Sequence, residues 1–188
     1  MEYYCIMVKT GEEKAFKERT IKALKEKFPE VQLFFFQRML RSNRGEYFER
    51  PLFPGYLFLA VEKLSGDFFL LLKKQKDFGR ILMDNRNPTV LAGQALEELK
   101  IFIHNGEHWG VSKISFLPGQ RIKVISGPLL GLEGLVYKVN KKRKRVTILS
   151  SLSPDGKRFD LYYEDVAPAD VSLDVPAGRL SEKEKTGV

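Results

Sequence analysis

GQRIKVISGPLLGLEGLVYKVNKKRKRVTIL, residues 119–149, holds two short runs of alternating apolar residues on either side of a Gly-rich turn. In the first run, 121–125, Ile122 and Val124 share a face. In the second, 134–140, Leu135, Tyr137 and Val139 share one face and Val136 takes the other. Alternation with a period of two, bounded by Gly and Pro, predicts short antiparallel strands. Gly127, Gly131 and Gly134 offer backbone angles that a side chain would resist. Five consecutive cations, Lys141, Lys142, Arg143, Lys144 and Arg145, then fall at the tip of the next hairpin. The stretch predicts a small basic β-barrel, a module built for binding.

Composition sets the frame. A chain of 188 residues has room for one or two domains, and 43% hydrophobic with 30% charged residues suits a globular protein. No apolar run approaches the roughly 20 residues of a membrane helix, so no membrane partner is expected. The opening MEYYCIMVK lacks the basic and cleavage regions of a secretory signal. The single cysteine, Cys5, cannot form an intramolecular disulfide, which fits a reducing, cytoplasmic setting. In its strand-like run Cys5 reads as a small buried hydrophobe. The net charge of +8 favours a polyanionic partner.

The first half reads β-α-β-β-α-β with an added helix. Strands are expected over 3–8, 33–40, 57–61 and 79–83, with helices to about residue 28, over 67–76 and over 91–103. Thr10 and Glu13 have the spacing of a capping box for the first helix, and Pro29 stops it. Phe16, Ala23, Leu24 and Phe28 line one side of that helix. This order predicts a ferredoxin-like fold, an antiparallel sheet with helices on one face. The fold class is therefore α+β, with a domain at 1–105, a linker at 106–116, a barrel domain at 117–168 and a mobile tail at 169–188.

PLFPGYLFL, residues 51–59, is the strongest feature of the first half. Pro54 and Gly55 launch a strand in which Tyr56, Phe58 and Ala60 point one way and Leu57, Leu59 and Val61 the other. Helices cover one face. The Tyr56 and Phe58 face is either a docking surface for a partner's helices or a second buried face. Cations gather in three places: Arg38, Arg41 and Arg44 beside Tyr47 and Phe48; Lys73, Lys74, Lys76 and Arg80 after the second helix; and 141–145 in the barrel. Cations mixed with aromatics suit a nucleic-acid backbone and unstacked bases, and the first two clusters are the favoured contacts.

No catalytic or cofactor site emerges. His104-Asn-Gly-Glu-His108 matches H-x-x-E-H, a zinc peptidase pattern that needs both histidines on one helix face. Asn105-Gly106 favours a turn instead, so no metal is expected. SGPLLGLEG lacks the Gly-Lys-Ser/Thr of a phosphate loop and joins two strands. The chain is expected to be a non-enzyme without cofactors, and a monomer.

Taken together, the two halves resemble the NusG family of transcription elongation factors. PLFPGYLFL is similar to the signature of that family's N-terminal (NGN) domain, and residues 119–140 to its C-terminal KOW motif. Gly119, Val124, Gly127, Pro128, Gly131, Gly134 and Val136 are the motif positions. The resemblance runs over about residues 3–167. It implies an NGN domain that binds the clamp helices of RNA polymerase, suppresses pausing and termination, and touches nascent RNA or non-template DNA. It implies polymerase contact by Phe53, Pro54, Gly55, Tyr56 and Phe58, and recruitment of a further factor by an SH3-like KOW barrel. Ser153-Pro154 departs from the aromatic-Gly pair that ribosome-coupled members commonly carry. Residues 8–12 and the basic hairpin resemble the specialised LoaP-type antiterminators, which recognise an RNA hairpin. The alternative is a ribosome-associated RNA-binding KOW protein.

Overall fold

The computed structural model describes residues 1–82, 88–116, 122–152 and 158–166. Its N-terminal half is built on β1 (Glu2–Val8), α1 (Glu13–Leu24), β2 (Gln32–Phe34), β3 (Gln37–Arg41), β4 (Tyr47–Pro51), β5 (Tyr56–Val61), α2 (Gly66–Lys73), β6 (Phe78–Ile81) and α3 (Gly93–His104). Strands β2, β5, β1 and β6 form an antiparallel sheet in that order. This is the ferredoxin-like arrangement that the element order predicted.

One face of the sheet is covered by α1 and α2. Phe16, Thr20 and Leu24 of α1 are buried at helical spacing. Phe16 and Leu24 join Phe68 and Leu72 of α2 against Ile6, Val8, Leu57, Leu59 and Val61. Each such side chain removed from water contributes roughly 1.5–3 kcal/mol. Helix α2 starts on Ser65, whose Oγ accepts from Phe68 N at 3.2 Å, so it begins one residue earlier than expected.

Helix α1 starts differently from its predicted capping box. Residue Glu12 occupies the cap position without a side-chain bond. Glu13, only 2% exposed, turns instead to loop amides: Gly11 N donates to Oε2 at 2.8 Å and Gly55 N to Oε1 at 2.6 Å. That carboxylate ties the helix start to the turn that launches β5. The helix also ends at Leu24 rather than Phe28, with Lys27 N and Phe28 N still bonded to Leu24 O.

The expected strand at 33–40 is two strands in two sheets. Phe35 and Phe36, both buried, separate them. Strand β3 leaves with β4 as a hairpin in a three-stranded sheet of order β4-β3-β7, where β7 is His108–Trp109. Residues 106–116, expected as a linker, carry β7 and also β8 (Ser112–Phe116). The fourth strand ends at Ile81, and its predicted last residue, Met83, lies outside the described residues.

The C-terminal half adds β9 (Ile122–Ser126), a 3-10 turn (Glu133–Leu135), β10 (Val136–Asn140), β11 (Arg145–Leu149) and β12 (Arg158–Asp165). They form a five-stranded sheet of order β10-β11-β12-β8-β9, with β8 and β12 parallel and the other pairs antiparallel. Gly134 belongs to the 3-10 turn rather than to the strand. Gly127 has φ +93°, and a Cβ there would lie 2.7 Å from Ser112 Cα, so the turn after β9 requires glycine.

Candidate docking and polyanion interface

The second face of the ferredoxin-like sheet is also buried. Phe58, on the side of β5 opposite Leu57 and Leu59, is 1% exposed and Phe53 is 3% exposed. Both belong to one apolar core that runs from β5 through Leu99 and Phe102 of α3 and Trp109 into the barrel residues Ile114, Val146, Ile148, Phe159 and Leu161. Ring packing carries the junction. Phe53 lies 5.4 Å from Phe58 and 5.5 Å from Phe159, both edge-on. Phe102 lies 4.3 Å from Trp109 with its ring tilted by 36°, and Trp109 meets Phe159 at 6.5 Å. Aromatic pairs of this kind contribute about 0.5–1.5 kcal/mol each beyond their buried area. Of the remaining residues expected to dock a partner, Gly55 is buried, Tyr56 half-buried and Pro54 exposed.

Polar contacts frame the junction. Arg38 Nη1 donates to Asp160 O at 2.6 Å and Arg41 Nη1 to Tyr162 Oη at 3.4 Å. Tyr47 Oη donates to Glu164 Oε1 at 3.3 Å, and its ring meets Tyr162 edge-on at 6.0 Å. On α3, the buried Glu98 accepts from Ser151 N at 2.9 Å and from Ser151 Oγ. Asn105 Nδ2 donates to Pro128 O at 3.1 Å. Burial pulls the Arg38 guanidinium below its usual range, with Asp160 opposing and nearby Arg145 adding to the shift. The bond to Tyr162 pushes Arg41 the other way.

Arg38, Arg41 and Arg44 were expected to act as one nucleic-acid cluster, but they sit in different settings. Arg38 is drawn into the domain junction, Arg41 reaches across it, and Arg44 is exposed at the β3–β4 turn. That turn faces the barrel hairpin. Arg41, Ser42, Asn43, Arg44 and Gly45 line a cleft of about 790 Å³ together with Lys142, Arg143, Lys144, Arg145 and Tyr162. Lys73, Lys74, Lys76 and Arg80 are exposed elsewhere and do not line it.

The positions that resemble the KOW motif divide in the same way. Val124 is buried, Pro128 is buried under the Asn105 bond, and Gly127 and Gly131 have positive φ. Gly134 is exposed and Val136 half-buried. Gly119, and the departing pair Ser153 and Pro154, lie outside the described residues. His104 ends α3 whereas His108 is in β7, bonded through Nδ1 to Glu49 at 3.1 Å. The two do not share a helix face.

Sequence reasoning missed Trp109, Phe159, Glu98 and Ser151 as junction residues. The one available signal was the lone tryptophan of the chain, placed in a stretch that otherwise reads as linker.

The family model described as "Transcription termination factor nusG" matches residues 1–100. The "Transcription termination/antitermination protein NusG" of Xylella fastidiosa strain 9a5c is 28% identical over 121 residues, covering 58% of this chain and 65% of that protein. The protein of the same description from Helicobacter pylori strain J99 is 22% identical over 130 residues, covering 67% and 70%. The match to the first of these thus spans less than two thirds of that relative's length. A solved structure, "Domain interaction in Thermotoga maritima NusG", superposes with a TM-score of 0.52 at 15% identity over 86% of this chain and 93% of that one, a likeness of fold.

Proposed function

The chain belongs to the NusG family, and from that premise we propose that it is a non-catalytic transcription elongation and antitermination factor of the cytoplasm that binds RNA polymerase. The polymerase surface is the β5 face with Phe53, Pro54, Gly55, Tyr56 and Phe58. One observation supports this reading: PLFPGYLFL forms an apolar face covered not by α1 and α2 but by α3 and, at Phe53, by Phe159 of the barrel. A face covered by a movable domain can be handed to a partner. The barrel must leave Phe53 before the clamp can reach it, so polymerase binds the open form and stabilises it by mass action.

The finer reading is a specialised antiterminator that contacts nascent RNA, such as a hairpin, or the non-template strand. Its support is the density of cations at the β3–β4 turn and the barrel hairpin. After release, the barrel is free to recruit a further factor.

The test uses the full chain with core polymerase in a sedimentation assay and in a termination assay on its own operon leader. Binding should strengthen when the junction is loosened by Glu98→Ala, and read-through should rise with it. Co-sedimentation with ribosomes, and with polymerase in neither form, would overturn the proposal.

A further inference from the structure

The β3–β4 turn and the barrel hairpin are about one hundred residues apart in sequence, yet they face each other across one cleft. Six of its lining residues are cations, namely Arg41, Arg44, Lys142, Arg143, Lys144 and Arg145, and none is a carboxylate. Acidic groups of β12 answer only in part: Arg145 reaches Asp160 at 3.6 Å and Lys144 reaches Asp165 at 3.7 Å, while Glu164 is engaged by Tyr47. No ion pair holds Arg44, Lys142 or Arg143 among the described residues.

Both turns are held in place by their own bonds. Ser42 Oγ accepts from Arg44 N and Glu46 N at 3.2 Å each. Asn140 Oδ1 accepts from Arg143 N at 3.0 Å, and Lys144 takes a left-handed φ of 49°. Docking the domains therefore brings two fixed groups of like charge together, at an electrostatic cost of up to about 1 kcal/mol per close pair in water. The junction core offsets this cost, and a polyanion in the cleft would remove it.

We propose that this cleft is a composite site for a nucleic-acid phosphate backbone, assembled only when the barrel is docked, and that its occupation locks the docked form. Open chains offer the two turns separately; docked chains offer them to one backbone. By linkage, a ligand favouring the docked form must weaken any partner that needs the open form, by the same factor. Resting on the reading above, nucleic acid off the polymerase thus holds the factor in reserve.

The test measures two quantities on the full chain, with a labelled RNA hairpin in one arm and a DNA duplex in the other, each of unrelated sequence. The first quantity is the salt dependence of affinity. Arg44→Ala, and separately Lys142→Ala with Arg143→Ala, should each weaken binding and flatten the slope by about one for each phosphate left without its cation. The second is exchange of the Ser151 amide, which donates across the junction to Glu98. Saturating RNA or duplex should slow it by a factor on the order of 5–150, but not in the triple variant.

Affinity that depends on only one of the two turns overturns the composite site. Exchange that is unchanged or faster on binding overturns the locking. An effect confined to one arm assigns the backbone as RNA or as DNA. Polymerase binding without nucleic acid is measured beside these on the wild-type chain, whose charges are intact. Its failure would therefore strike the proposed function and leave the cleft result standing.

Discussion

Phe53 meets Phe159 edge-on, ring centroids 5.5 Å apart at 76°, across the boundary between the ferredoxin-like domain and the barrel. Phe159 also touches Phe102 and Trp109, so one barrel side chain closes the aromatic core from above. Replacing it with alanine should leave a cavity against three rings. Phe159→Ala is expected to lower unfolding stability by about 3–5 kcal/mol. Trp109, 1% exposed and the only tryptophan, reports the event directly. Its emission should shift to the red in the variant at denaturant concentrations where the wild type is unchanged. An unshifted spectrum would mean that Phe159 does not seal the junction.

Glu98 gives a polar counterpart. Its Oε2 takes both the amide and the hydroxyl of Ser151, and its Oε1 is buried with no partner among the described residues. Glu98→Ala leaves the Ser151 amide without its acceptor and should cost about 1–3 kcal/mol of docking. Ser151→Ala removes only the hydroxyl and should cost about 1 kcal/mol. Ser151 amide exchange read for the first variant, and thermal stability for both, check the ranking. Equal costs would contradict the role of the amide.

The element order of the first half and the alternating strands β9 and β10 were legible because both rest on local periodicity. The alternating run at Tyr56–Val61 faces two cores, and period two states that much. What covers the Phe58 side could not be read, since the covering residues come from α3, Trp109 and β12, and no local pattern ties them to β5. The break at Phe35 and Phe36 was hidden for a related reason. Both residues are apolar and continue a strand-like run, but they turn the chain between sheets. The capping expectation failed because a more favourable pair of donors, Gly11 N and Gly55 N, lies within reach of Glu13. One of these is distant in sequence. The cationic turns were visible singly, and their meeting depends wholly on docking.

The bond from Gly55 to Glu13 yields its own prediction. The carboxylate fixes Gly55, which has φ +83° and approaches Thr10 so closely that a Cβ would lie 2.9 Å from its Oγ1. Glu13→Ala should leave two amides unpaired and destabilise the fold by about 2 kcal/mol or more. Glu13→Gln keeps an acceptor and should cost less. Thermal melts of the two variants decide this. If both match the wild type, the carboxylate does not set the start of β5.

Two glycines of residues 119–149 should respond differently. Gly127→Ala places a Cβ 2.7 Å from Ser112 Cα and 2.8 Å from Val111 O, at φ +93°. Backbone must move, and the loss should exceed about 1–2 kcal/mol. Gly134 has open space around the same position, so Gly134→Ala should stay within about 0.5 kcal/mol of the wild type. Chemical denaturation of both variants tests the contrast.

Tyr163 supplies a prediction about alkali. Its ring is fully buried beside Phe116, and its hydroxyl has no partner among the described residues. Burial, aided by the charge of Asp165, pushes the phenol up to about 12 from its ordinary 10.0. Between these values the unfolded chain has given up the proton and the folded chain keeps it. Stability is therefore fully present below pH 10 and falls as pH rises toward 12. Tyr4, raised to about 12 by burial and by its bond to Glu2, loses stability in the same window. Tyr163→Phe removes one ionisation and leaves the other. The variant should equal the wild type or exceed it by up to about 1 kcal/mol at neutral pH, since it deletes an unpaired hydroxyl. It should then lose less stability than the wild type between pH 10 and 12. Denaturation midpoints taken across that window decide it, and parallel loss in both proteins would show that the Tyr163 phenol is not held neutral by the fold.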